Sequence, residues 1–251
     1  MALDLATWHS RFLQQAGWTR ELRLNLLRRA GMAQARRVLE VGAATGALTG
    51  ELSLDWQAHV FGLDREWTRL AFARLHDPRT HFTQSDAHSL PYRSGTFDLS
   101  LCHFLLLWVR DPVSVVAEMR RVTRPDGYVL ALAEPDYGSR IDFPESLAEI
   151  GRAQRAALAA QGANPDMGRE LGRLFQLAGL REVEVGVLGA QWVGPASRTD
   201  FDMEWSVLEE DLRESLTPET RNRLRMLDWT ARERGERVLF VPTFFASGRV
   251  E

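Results

Sequence analysis

Five residues stand where a small polar cofactor could be held: Glu40, Gly42, Gly46, Asp64 and Asp86. Glu40 interrupts the apolar run Val38-Leu39-Glu40-Val41, and Gly42-Ala43-Ala44-Thr45-Gly46 follows it as a glycine-bearing turn. Gly42 permits a tight turn and Gly46 permits close packing where a helix begins, whose free amides face whatever lies over the turn. Such turns occur in many α/β proteins, so the turn alone decides little. The spacing adds more. Asp64 ends the next apolar run 22 residues after Gly42, near the ~20 expected for a carboxylate that grips ribose hydroxyls. Asp86 follows a third run after the same interval, where an exocyclic amine could donate to it.

These groups need strands to carry them to one edge. From about Val38 onward, short β-branched or apolar runs alternate with helical periodicity, the pattern of a doubly wound parallel sheet. Strands are predicted at Arg37–Val41, His59–Leu63, His81–Gln84, Phe97–Phe104 and Tyr128–Ala133, with helices between them and a turn at Arg124–Gly127. Helices follow at Pro144–Ala160 and Met167–Ala178, then a strand at Glu182–Leu188, helices from about Asp200 to Arg234, and a last strand near Leu239–Ser247. Pro242 inside that last run argues for a bulge or a late start. Ahead of the first strand, Leu5, Trp8, Phe12 and Leu13, then Leu22, Leu26 and Leu27, form helical stripes broken near Gly17. The expectation is a Rossmann-like, mostly parallel seven-stranded sheet in one domain. Residues 1–30 would form a helical lid and 37–134 the cofactor-binding core; 135–251 would supply substrate-side helices and the last two strands.

The turn is a poor dinucleotide site. Ala44 stands where a pyrophosphate would want glycine, and Glu40 would repel a diphosphate. A cofactor with an ammonium and a sulfonium, and no phosphate, suits these carboxylates, which describes S-adenosylmethionine. The chain resembles the class I S-adenosylmethionine-dependent methyltransferases, in particular the small-molecule branch with ubiquinone- and menaquinone-type enzymes. The resemblance rests on Leu39 to Gly46, Asp64, Asp86-Ala87 with Leu90-Pro91, Phe97-Asp98-Leu99 and Arg124-Pro125-Asp126-Gly127. It implies Glu40 on the methionyl ammonium, Gly42, Ala43, Ala44 and Gly46 beneath the cofactor, Asp64 with Arg65 at the ribose, and Asp86 with Ala87 at the adenine. Cys102 would line the same site. Ala44 replaces the usual middle glycine; returning it to Gly is expected to keep or improve cofactor affinity and to lose some stability through backbone entropy.

Methyl transfer from a sulfonium is an in-line displacement, so positioning supplies much of the catalysis and a base is needed only if the acceptor must lose a proton. His103, after Cys102, is either such a polar group or a hydrogen-bonded structural histidine. Glu134 and Tyr137 lie in a Pro/Gly loop after the fifth strand, where substrate contacts or internal loop bonds are both open. Trp18 is a candidate lid residue, and Trp192, Trp205, Phe201 and Met203 either line an apolar acceptor pocket or pack in the core. No metal constellation is evident.

Composition narrows the partners. The 251 residues carry a formal charge of −3, 45% are hydrophobic, and all 31 basic residues are Arg. That balance gives no reason to expect nucleic acid or an anionic membrane. The absence of Lys removes Schiff-base chemistry. The lone Cys102 excludes an intrachain disulfide; with no secretory signal, the expected compartment is the cytoplasm. The expected activity is methyl transfer to an O, N or C nucleophile of a small molecule, by a monomer or homodimer. The alternatives are a non-catalytic S-adenosylmethionine-binding protein, a protein or tRNA methyltransferase, and a nicotinamide-dependent reductase.

Overall fold

The computed structural model describes residues 4–187 and 197–251, so Trp192 lies outside the described residues. Seven strands form one sheet: β1 (Arg37–Val41), β2 (His59–Asp64), β3 (His81–Gln84), β4 (Phe97–Cys102), β5 (Thr123–Pro135), β7 (Arg181–Val187) and β9 (Thr243–Arg249). Between them in the chain, β6 (Ile141–Phe143) and β8 (Val238–Phe240) pair as a separate antiparallel ribbon. The sheet order is β3-β2-β1-β4-β5-β9-β7, and only β9 runs against its neighbours. Winding reverses between β1 and β4, so the crevice that binds ligands in such sheets opens at their carboxyl ends.

The nine α-helices among the described residues are α1 (Leu5–Trp18), α2 (Arg20–Arg29), α3 (Ala47–Asp55), α4 (Trp67–His76), α5 (Pro112–Val122), α6 (Ala148–Ala160), α7 (Leu171–Leu177), α8 (Arg198–Asp211) and α9 (Pro218–Glu233). None is long and apolar enough to cross a membrane. Both faces of the sheet are covered, which is why β1 reads as an almost continuous apolar run, with Val38, Leu39 and Val41 wholly buried.

The boundaries differ from the sequence expectation where a local constraint overrides periodicity. The N-terminal helices break at Thr19, and Gly17 stays inside α1. β4 stops at Cys102 because Phe104 has φ +53°, and Leu106–Trp108 form a 3-10 turn. β5 begins earlier, at Thr123, through an irregular pairing opposite Phe97 to Leu99. The last strand starts just after Pro242, as a residue without an N–H requires. The residues before it, Val238–Phe240, instead join the ribbon with β6, which is too short to show a period.

Helices α6, α8 and α9 make a cap with its own core of Leu147, Ile150, Phe201, Trp205, Leu212 and Leu224. Phe201 and Trp205 are thus core residues. A buried ion network ties this cap to the ribbon. Asp228 accepts from the Trp205 indole at 2.7 Å and from Arg237 Nε at 2.6 Å. Arg237 reaches on to Asp142 at 2.6 Å, and Arg140 donates to Asp142 at 2.7 Å. Removing one partner of a buried pair strands the other charge. Asp228→Ala is therefore expected to destabilise the fold by about 3–5 kcal/mol, seen as a lower urea midpoint; a loss below about 1 kcal/mol, the scale of an exposed pair, would show that the network does not hold the cap.

Candidate active site

The glycine turn is tied to the end of β2 by the chain itself. The amides of Gly42 and Ala43 both donate to the Leu63 carbonyl, at 2.7 and 2.9 Å. Asp64, next along, accepts from the Ala44 amide with Oδ2 and from the Glu66 amide with Oδ1, each at 2.9 Å. Two backbone donors fix the carboxylate, and each oxygen keeps a further lone pair for a ligand. Gly42 (φ +82°) could carry no side chain: a Cβ would stand 2.8 Å from the Leu105 side chain.

Glu40 lies directly under this turn and is 3% exposed. Burial first, and then Asp64, push its carboxyl up to about 8, against the pull of Arg23. Its Oε2 is sealed from solvent without a hydrogen-bond partner. Arg23 cannot neutralise it fully, because that guanidinium is already committed. It pairs with Glu51 and donates to Ala16 O at 2.9 Å and Thr19 Oγ1 at 2.7 Å. An orphaned buried acceptor beside a glycine turn fits a ligand that brings a cation or a donor.

The N-terminal helices close over this edge through polar contacts. His9 Nδ1 lies 3.0 Å from the Thr45 hydroxyl inside the turn, and His103 Nε2 lies 3.1 Å from the Thr19 hydroxyl between α1 and α2. His103 is pushed down to about 3 by burial and then by Arg23, so it is a neutral imidazole at physiological pH. A neutral imidazole of such low proton affinity is a weak base. Trp18 is 55% exposed, with the Arg11 guanidinium 4.6 Å above its ring.

Glu134 lies inside β5, one residue before its end, and differs from the substrate contact expected of it. It is fully buried, and its carboxylate accepts from the amides of Leu105, Leu106 and Leu107 at 2.9, 2.9 and 3.2 Å. It therefore holds the loop after β4, and its full burial keeps it from an acceptor. Tyr137 lies beyond it, half-buried, with its amide on Pro165 O and its phenol without a hydrogen bond among the described residues. Burial pushes that phenol up. Cys102 is buried in register between Val41 and Ala131, and burial raises its thiol well above the usual range, which disqualifies it as a nucleophile.

The remaining positions are looser. Arg65 points outward and is 79% exposed. Asp86 lies two residues beyond β3 and is exposed, its Oδ1 accepting from the amide of His88 at 2.8 Å and lying 2.6 Å from its ring. Ala87 packs against the core beside it. His9, Arg11, Thr19, Arg23 and Glu51 also stand at this edge without a signal in the sequence. Their partners are 28 or more residues away for His9–Thr45, Thr19–His103 and Arg23–Glu51, so no local pattern marks them. Among the described residues no cluster of three or more His, Cys, Asp or Glu could hold a metal.

The methyltransferase domain family matches residues 39–131, from Leu39 beside Glu40 to the middle of β5. Residues 39–131 are thus similar to a methyltransferase domain, over about two fifths of the chain. The demethylmenaquinone methyltransferase of Renibacterium salmoninarum is 33% identical over 124 residues, which span 49% of this chain and 52% of that protein. The chain spans about half the length or less of the curated relatives it matches, between 34% and 53%. Phosphoethanolamine N-methyltransferase 2 of Haemonchus contortus, solved with S-adenosylhomocysteine, shares the fold with a TM-score of 0.59 at 18% identity, over 92% of this chain and 53% of that one. The YcgJ protein of Bacillus subtilis does so with a TM-score of 0.56 at 18% identity, over 92% and 99%.

Within the matched residues, one feature of the turn reverses an expectation. Ala44 has φ +45°, a left-handed conformation that costs a residue with a Cβ about 1–2 kcal/mol. Glycine there gives up about 0.5–1 kcal/mol of chain entropy, so relief of strain outweighs it. Ala44→Gly is thus expected to stabilise the fold by about 0.5–1 kcal/mol and to keep cofactor affinity. Denaturant unfolding and calorimetry check both; a loss of stability would mean that the turn is not strained.

Proposed function

We propose that the chain transfers a methyl group from S-adenosylmethionine to a small-molecule acceptor. The observation that carries this reading is the orphaned Oε2 of Glu40 beneath the glycine turn, a buried acceptor that an amino-acid ammonium satisfies. When bound, S-adenosylmethionine supplies an electrophilic methyl on a sulfonium. The chain's own residues do the rest. Glu40 ionises and binds the ammonium, and Asp64 takes the ribose diol on the lone pairs its backbone donors leave free. Gly42, Ala43, Ala44 and Gly46 pass beneath the ligand, and Asp86 with Ala87 border the adenine, Asp86 turning from His88 to do so.

On the acceptor side, His103 and Tyr137 orient. His103 is neutral and so offers a hydrogen bond without taking a proton at physiological pH. Tyr137 keeps its proton and donates from its phenol. Neither is a competent general base near neutrality, so an acceptor with a free lone pair fits better than one that needs deprotonation. Glu134 contributes by fixing the loop after β4 from below, and α1 with α2 exclude water from above.

The test is incubation of the full chain with methyl-labelled S-adenosylmethionine and a small-molecule extract, followed by mass spectrometry. Label is expected in the small-molecule fraction. Label that enters protein or RNA would contradict the acceptor class. Cofactor binding with no transfer to any fraction would favour a binding protein without activity.

A further inference from the structure

Arg11 is unlike the other arginines of the cap interface. It stands on α1 where that helix meets α8 and the loop after β5. Its only hydrogen bond among the described residues runs to Gln14 on the same helix, and its Nε is sealed from solvent without a partner. The guanidinium lies over the Trp18 ring. Glu204, the Tyr137 phenol and Asp211 lie within electrostatic reach of it and oppose the effect of its burial. Both acids are engaged elsewhere. Glu204 pairs with Arg232 at 2.7 Å, and Asp211 accepts from Gln154 at 2.9 Å.

A partly desolvated guanidinium with unfilled donors is costly unless a ligand completes it. Its planar fork suits an oxyanion, which it can bind through two parallel hydrogen bonds. On its other side Tyr137 lines a cavity of about 640 Å³ that Arg11 does not border, whose charged wall is Arg140, Arg152, Arg155 and Arg169 with Asp142 and Glu145. Arg152 makes no ion pair among the described residues, whereas the other three face Asp142, Asp166 and Asp136.

We propose that Arg11 binds an anionic group of the methyl acceptor, a carboxylate or a phosphate monoester, with the Tyr137 phenol beside it. The proposal rests on the methyltransferase reading for the identity of the ligand as an acceptor. The anion site itself stands on Arg11. Trp18 then acts as the flat support that keeps the guanidinium in place.

The experiment titrates the full chain, saturated with S-adenosylhomocysteine, with benzoate, phenyl phosphate and benzamide. Calorimetry reads affinity, and nitrogen-15 NMR reads the arginine Nε–H signals. One of the two anions is expected to bind at least about tenfold tighter than benzamide, the gap a charge-assisted contact gives. It should also move an Nε–H signal that is missing in Arg11→Gln. Tighter benzoate assigns a carboxylate and tighter phenyl phosphate a phosphate monoester. In folded Arg11→Gln the preference is expected to vanish while S-adenosylhomocysteine affinity holds within about twofold; Arg11→Lys, which keeps charge without the fork, recovers part of it. Equal or absent binding of all three probes overturns the proposal, as does a preference that survives Arg11→Gln. Failure of S-adenosylhomocysteine to bind would instead contradict the methyltransferase reading, and the anion titration without it still decides Arg11.

Discussion

A carboxylate buried with one oxygen unpaired is unfavourable until something cationic joins it, and Glu40 is such a group. Water cannot reach Oε2, and Arg23, the nearest cation acting on it, spends its donors on Glu51, Ala16 and Thr19. The protein tolerates the group by holding it protonated near neutrality. The remainder of the site is arranged around that deficit. The glycine turn leaves room above it, Asp64 is locked beside it by two amides, and β1 and β4 bring Val41 and Cys102 alongside. A site built this way suits the cationic headgroup proposed for it, which the fold alone would not specify.

The two sides of the crevice are attached differently. The cap is joined to the β6–β8 ribbon through ion pairs that are almost wholly buried. The N-terminal helices meet the glycine turn through His9 to Thr45, the end of β4 through Thr19 to His103, and α3 through the ion pair of the buried Arg23 with Glu51. Neutral hydrogen bonds are worth about 0.5–1.5 kcal/mol each, whereas breaking a buried pair costs about 3–5. The N-terminal helices are held by a buried pair as well, that of Arg23 with Glu51.

Much of this was legible in the chain. Period-two and period-3.6 patterns located the sheet, and the 22-residue interval from Gly42 to Asp64 placed the second carboxylate at the correct strand end. What failed to show depends on contacts between distant segments. Glu134 looks like any loop acid, and only the fold reveals that three amides of residues 105–107 consume it. Asp86 sits in a turn of its own making with His88. The strain at Ala44 was hidden because alanine carries no signature of φ > 0. The β6–β8 ribbon pairs residues about 100 positions apart in segments too short for any period.

The central claim is that Glu40 receives the cofactor's ammonium. Its free carboxyl titrates at about 8, so below that pH it is protonated, and binding a cation lowers its proton affinity and expels the proton. Affinity must then rise with pH, about tenfold per unit between roughly pH 6 and 7.5, because one proton competes with the ligand. The most direct measurement is calorimetry of S-adenosylhomocysteine binding at pH 6.5 in buffers of different ionisation enthalpy. The account predicts release of about one proton per ligand bound, absent in Glu40→Gln; a pH-independent affinity with no proton released would contradict it.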